Sequence, residues 1–269
     1  MTKATALILA ASRRGPEDAV AKLQGVSHKC LIEIDGMVML ERVVREIMAS
    51  DHIDRIFVSI ESEDLLKATP ALAAMLANGE IQFTPSKDNL FLSITEGAGA
   101  IEDPFPLVIS TGDNALHTTE MVDFFCEELL SSESDVLVAM TPADVILKAY
   151  PDGKRAFHEL RDGGWSSCNL YGLQSERALG AAKAFETGGQ FGKQPQRIAE
   201  AFGLSFMAKY KFKLATLDQL AEHLSRRWDI ILKPVRMPFA DAPIDVDNPG
   251  DFQRSEAILK ARRGAGELA

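Results

Sequence analysis

The sequence is poor in cysteine. Only Cys30, Cys126 and Cys168 occur in 269 residues, an odd number, widely spaced and without a Cys-x-x-Cys pair. That excludes a disulfide framework and a structural zinc site, and a reducing, cytoplasmic setting is expected. Long apolar runs are missing too. Ala4–Ala11 is far shorter than the roughly 20 residues a membrane helix needs, and no signal-peptide cleavage region follows it, so a soluble protein without membrane insertion is expected. Positive charge is in deficit: 29 Lys and Arg stand against 39 Asp and Glu, a net charge of −10. This opposes broad nucleic-acid binding and leaves any basic patch local, on the scale of a small molecule. GxxxxGK[ST] and GxGxxG are both absent, which excludes a Walker-type loop and lends no support to a dinucleotide fold. His52, His117, His158 and His223 form no ligand-spaced pair, and no local pattern marks a serine or cysteine nucleophile. There is no internal repeat.

What remains is an alternation of short apolar runs and helical stretches. Runs are read at Ala4–Ala11, Ile56–Ile60, Ile81–Phe83, Pro106–Ser110 and Val136–Met140. Helices are expected near Met39–Ala49, Glu63–Ala77, Ser93–Ala100 and Thr118–Leu130. Strand and helix repeated in this way predict a mainly parallel sheet covered on both faces, with ligands beyond the carboxyl ends of the strands. Past Thr141 glycines punctuate polar loops, with helices expected near Ser175–Glu186 and Leu217–Trp228. Late strands are expected at Ile230–Val235 and Pro243–Val246, then a helix over Gly250–Arg262 and a frayed end.

Three pieces carry chemistry. The first strand breaks into Ser12-Arg13-Arg14-Gly15-Pro16, and Lys29 follows. Backbone amides of Ser12 to Gly15 with three cations suit a triphosphate, against the plainer reading of a solvated loop. Next, Gly112-Asp113 stands just past an apolar strand, where a carboxylate meets a ligand's magnesium and a glycine lets phosphate approach the backbone; a helix N-cap is the plainer reading. Third, Asp245 and Asp247 close another apolar run. Strand alternation is expected to bring one of them to the cation shared with Asp113 and leave the other outside; a plain turn is the alternative. More weakly, Asn169 is a candidate to orient an acceptor, and Lys193 or Arg197 to bind its phosphate or carboxylate. His28, beside Lys29, is the one histidine with a place in the site.

Together, Leu9-Ala10-Ala11-Ser12, His28-Lys29, the run Asp35 to Val43, Gly112-Asp113 and Asp247 to Phe252 resemble the MobA-like nucleotidyltransferases. Their opening LAAGxGxR, Pro-Lys pair, GxPML helix start, strand-end Asp and closing DTPEDL fall in the same order. The likeness covers Ala4 to Val138 and a closing segment near Asp241 to Leu259. It departs at Ser12 and Arg14, which replace glycines, at Pro16, which stands where an arginine is expected, and at His28, which replaces a proline.

The resemblance implies a three-layer α/β/α Rossmann-like GT-A sandwich with a mainly parallel, mixed sheet. One domain over 1–269 is expected, with 141–230 as an elaborated acceptor-side or lid section. It implies Mg²⁺-dependent transfer of a nucleotidyl group from an NTP to a phosphorylated or hydroxyl small molecule, releasing pyrophosphate. Lys29, Arg14 and Arg13 would be catalytic, and Ala10, Ala11, Ser12, Gly15, Ser86, Ser93 and Gly112 would bind the nucleotide. Asp113 and Asp247 would hold the metal. The altered turn keeps a second reading open, a weakly active or inactive nucleotide-binding regulator of the same fold. A GT-A glycosyltransferase would carry Asp-x-Asp, whereas Asp113 is followed by Asn114-Ala115.

Overall fold

The structure, a computed structural model, describes residues 2–151, 156–185, 203 and 209–266. Strand β1 (Ala4–Leu9) is its axis. It pairs in parallel with β4 (Ile53–Ile60) on one side and β6 (Leu107–Thr111) on the other. Its alternate residues go to opposite faces: Ala4, Ala6 and Ile8 join one core, Leu7 the other. A strand buried on both sides reads as a continuous apolar run, which is why Ala4–Ala11 was legible.

The first core packs α1 (Met39–Met48), α2 (Glu63–Lys67), α3 (Pro70–Ala77) and α5 (Thr119–Ser131) through Leu40, Val44, Leu66, Met75 and Phe125. The second packs α4 (Leu90–Gly99) and a 3-10 run over Glu176–Phe185 through Ile94, Ala98, Ala178 and Ala181. The helix expected over Glu63–Ala77 is therefore broken at Thr69-Pro70, where proline starts a new helix. The stretch expected as a helix near Ser175–Glu186 is 3-10 rather than α, with Glu186 outside the described residues.

The main sheet runs β10 (Leu232–Arg236), β7 (Val136–Pro142), β9 (Gly163–Leu173), β6, β1, β4, β5 (Gln82–Pro85), with β8 (His158–Leu160) added to β9. All pairs are parallel except those of β9, which runs antiparallel to β6, β7 and β8. The stretch 141–230, expected as an elaborated acceptor-side or lid section, thus supplies one of the internal strands of the sheet. The late strand expected at Pro243–Val246 is not a strand. Its Ile244 and Val246 instead enter a third core with Val20, Ile32, Ile34, Met39, Ala115, Leu116 and Leu259. Beyond α5 come α6 (Ala143–Ala149), α7 (Leu217–Trp228) and α8 (Pro249–Gly264), and Leu259 lies on the last. A short hairpin, β2 (Glu33–Ile34) and β3 (Met37–Val38), turns at Asp35-Gly36, both at positive φ. The third core matters most for function, because it joins the loops after β1 and β6 to the segment before α8.

Candidate active site

Three chain segments meet at the carboxyl edge of the parallel strands. The first leaves β1 and is held close to its neighbours: Ala10 N–H donates to Ser59 O at 2.8 Å, and Gly112 N–H donates to Leu9 O at 2.9 Å. At Ser12 the chain turns. Gly15 N–H donates to Ser12 Oγ at 3.0 Å, and Gly15 adopts φ +51°, a conformation natural to glycine. Pro16 then sits in a 3-10 turn over Gly15–Glu17. Arg13 and Arg14 are exposed, and their guanidinium groups make no ion pair among the described residues. They remain available to an anion.

Lys29 opens a 3-10 turn, Lys29–Leu31, whose next residue, Cys30, is buried with its Sγ against Ala10 O at 3.2 Å. Burial pushes that thiol up to about 12, so it is not a nucleophile. The Lys29 Nζ lies 2.5 Å from Asp113 Oδ2 and 2.8 Å from Asp247 Oδ1. Burial acts to raise the Asp113 carboxyl, but the Lys29 ammonium and the Thr111 hydroxyl outweigh it and hold the group below the usual carboxylate range. Burial likewise acts to lower Lys29, and the two carboxylates outweigh it, holding the ammonium well above its ordinary value. Both partners are charged at neutral pH.

The backbone brings the carboxylates together, since Val246 N–H donates to Asp113 O at 3.1 Å. Ile244 and Val246 point into the core, so Asp245 and Asp247 leave on the other side. Residues two apart in extended chain share a face, and strand alternation does not separate them as expected. Position along the chain does. Asp247 reaches Lys29, whereas Asp245 Oδ2 accepts from Asn169 Nδ2 at 3.4 Å. Asn248 follows as the N-cap of α8, its Oδ1 accepting from Gly250 N–H and Asp251 N–H.

Asn169 reaches this point because β9 bulges. Val138 faces Tyr171 and Met140 faces Ser167, so Cys168, Asn169 and Leu170 all oppose Ala139, and Asn169 takes φ +53°. Bulges re-aim side chains in this way. The Asn169 amide also donates to Asn114 Oδ1 at 3.2 Å.

Other expected residues are placed differently. At Gly112 a Cβ would lie 3.2 Å from Leu40 Cδ1 and 3.3 Å from Ala10 Cβ, so the glycine allows the β1 and β6 loops to close on α1. Ser93 is buried, its hydroxyl accepting from Lys87 N–H at 2.9 Å; it shapes the loop before α4 rather than facing the crevice. Ser86, half-buried, follows β5, two strands and about 10 Å from β1 at ordinary strand spacing. Ala10 is buried and Ala11 exposed. Lys193 and Arg197 lie outside the described residues.

One site residue is absent from the sequence reading. Glu61 follows β4, and its Oε1 accepts Ser12 N–H at 2.7 Å while its Oε2 lies 2.9 Å from His28 Nε2. The signal that marked Asp113, a carboxylate just past a parallel strand, was equally present at Glu61.

No curated protein matches the chain. Among solved structures, it is similar to a hypothetical transferase from Thermus thermophilus, with 19% identity, TM-score 0.73, and coverage of 93% of this chain and 100% of the other. It is also similar to the 4-diphosphocytidyl-2C-methyl-D-erythritol synthase of Anaerococcus prevotii, with 16% identity, TM-score 0.57, and coverage of 96% and 99%. A third likeness is to CMP:2-keto-3-deoxy-manno-octonic acid synthetase in complex with CTP, with 12% identity, TM-score 0.57, and coverage of 97% and 100%. These likenesses establish a shared fold. Residues 6–186 match the MobA-like NTP transferase domain. With two thirds of its length inside that match and the strand-end turn, lysine and aspartates gathered at one edge of the sheet, the chain belongs to the MobA-like NTP transferases, a family of nucleotidyltransferases.

Proposed function

We propose that the protein transfers a nucleotidyl group from an NTP to a phosphorylated or hydroxyl small molecule, with Mg²⁺, and releases pyrophosphate. The observation that carries this reading is the ammonium of Lys29 between Asp113 and Asp247, beside a turn whose two arginines are exposed and make no ion pair among the described residues. In the reaction an acceptor oxygen bonds to the α-phosphorus, the bond from the α-phosphorus to the α–β bridging oxygen breaks, and pyrophosphate leaves with the electron pair; a phosphate acceptor attacks as the oxyanion, and a hydroxyl acceptor gives its proton to solvent. No covalent enzyme intermediate is needed, so binding and charge neutralisation supply the rate.

The donor set suits magnesium. Two carboxylates already hold a cation between them, and Mg²⁺ is ordinarily bound by one or two carboxylates together with substrate phosphates. Asp113 and Asp247 would hold it, and when bound it neutralises charge on the phosphate oxygens. Arg13 and Arg14 bind the β- and γ-phosphates, and Lys29 steadies the charge that grows on the leaving group. Asn169 orients the Asp245 and Asn114 side chains at the acceptor side.

The test is pyrophosphate release from each of the common NTPs with Mg²⁺ and candidate sugar-phosphate and alcohol acceptors. Lys29→Met is expected to lower the rate about a hundredfold, roughly 3 kcal/mol of transition-state stabilisation. Full turnover by that variant would remove Lys29 from the mechanism.

A second reading, a nucleotide-binding regulator without turnover, has one observation in its favour. The Ser12 amide, which a phosphate would use, is held by the protein's own Glu61 carboxylate. Calorimetric NTP binding without pyrophosphate release under any acceptor would favour it.

A further inference from the structure

We propose that Lys29 gates the cation site, closing Asp113 and Asp247 to a divalent ion until a triphosphate gives its ammonium another partner. The inference rests on the reading that these two carboxylates hold the metal. The ammonium is 2.5 Å from Asp113 Oδ2 and 2.8 Å from Asp247 Oδ1. A magnesium held by the same two oxygens would need the place that the ammonium now fills between them. The two cations therefore exclude each other. A free divalent ion has to displace an ammonium whose side chain is 22% exposed, from a carboxylate that is 16% exposed. Among the described residues the neighbouring carboxylates are already engaged, Asp245 by Asn169 and Glu61 by Ser12 and His28.

A triphosphate changes this balance from both sides. It reaches the site along Arg13 and Arg14, which are exposed and unpaired among the described residues. It offers oxygens to Lys29, whose four-carbon stem swings by rotamer change alone. It also adds negative charge next to the vacated carboxylates, so the metal enters with the nucleotide rather than before it. Metal and nucleotide then raise each other's affinity by the same factor, as linkage requires.

The prediction is read from metal binding without nucleotide or turnover. Mn²⁺ alone is titrated into the full-length protein and free Mn²⁺ is followed by electron paramagnetic resonance. Lys29→Met is expected to bind one Mn²⁺ about tenfold or more tightly than the wild type, because the competing ion pair is gone. Lys67→Met, which removes an equal charge from an exposed pair with Glu63, is expected to match the wild type. Lys29→Met with Asp113→Asn is expected to lose the added binding. If circular dichroism shows Lys29→Met to be misfolded, Lys29→Gln takes its place. Equal Mn²⁺ binding by wild type and Lys29 variant, no binding by either, or a gain that survives Asp113→Asn would each overturn the gate. The functional reading fails separately: an absence of pyrophosphate release leaves the Mn²⁺ comparison intact, and equal Mn²⁺ binding leaves turnover untouched.

Discussion

At the residue scale the site is a small balance of charge. Lys29 is shared by two aspartates, while Glu61 places a further carboxylate against the turn proposed to receive phosphate. Glu61→Gln keeps an oxygen for Ser12 N–H and removes the charge. It is expected to tighten NTP binding by roughly 1 kcal/mol, about fivefold, as measured by calorimetry; an unchanged or weaker affinity would mean that the carboxylate does not oppose phosphate. His117 gives a pH signature. Its Nε2 donates to Ala242 O at 2.9 Å, and burial pushes the imidazole down to about 4. In the unfolded chain it titrates near 6.5, so the unfolded state binds more protons as pH falls between those values. The stability that neutral His117 contributes is complete above about pH 6.5. It is lost as pH falls toward 4, by about 2 kcal/mol between pH 7 and 5. Urea midpoints at the two pH values should show this drop in the wild type and a smaller one in His117→Gln.

At the element scale, function depends on how the segment before α8 is clamped. Arg262 of α8 donates to Leu116 O at 3.0 Å and to Asp241 Oδ2 at 2.5 Å, and Asp241 also accepts from the Tyr150 hydroxyl. One guanidinium thus ties the Asp113 loop to the chain that carries Asp247. Arg262→Met should cost about 2 kcal/mol of stability and lower kcat more than it raises KM, because the aspartates lose register while the arginine turn stays whole. A variant with the stability loss but normal kcat would show the clamp to be structural only.

The elements also divide by how readable they were. The strands β1, β4, β6 and β7 declared themselves because each is buried on both faces and carries an apolar run. Strand β9 did not. Gly163-Gly164, Ser166-Ser167 and Asn169 lack both alternation and β-branched bulk, and the strand owes its place to pairing with three other strands. The Asp35-Gly36 hairpin carried a turn signal that went unread. Pro243–Val246 had the composition of a strand, but its apolar residues plug the third core. Lys29, Asp113 and Asp247 were legible because each follows or faces a strand end. Glu61 had the same mark, whereas the direction of Asn169 depends on a bulge that no local pattern announces.

At the scale of the whole molecule, a mainly parallel sheet lies between two helical cores, and the third core seals the loops at the carboxyl ends of its parallel strands. No helix among the described residues is long and apolar enough to cross a membrane. Against a net charge of −10 the basic turn is a local exception, and the proposed ligand is a single polyphosphate. A ligand that binds only the folded chain raises its stability by about 2.7 kcal/mol at a hundred times its Kd. A thermal-shift screen of NTPs with Mg²⁺ should therefore pick out the preferred nucleotide by a rise of several degrees, lost in Arg13→Ala/Arg14→Ala.

The proposed reaction is attack at the α-phosphorus in a site built on Asp113. Its most direct test follows γ-labelled NTP with Mg²⁺ and a protein-free metabolite extract as the acceptor pool, in wild type and Asp113→Asn. Labelled pyrophosphate from the wild type, falling at least about a hundredfold in the variant, is the result expected. Label released as orthophosphate, or equal pyrophosphate from both proteins, would contradict it.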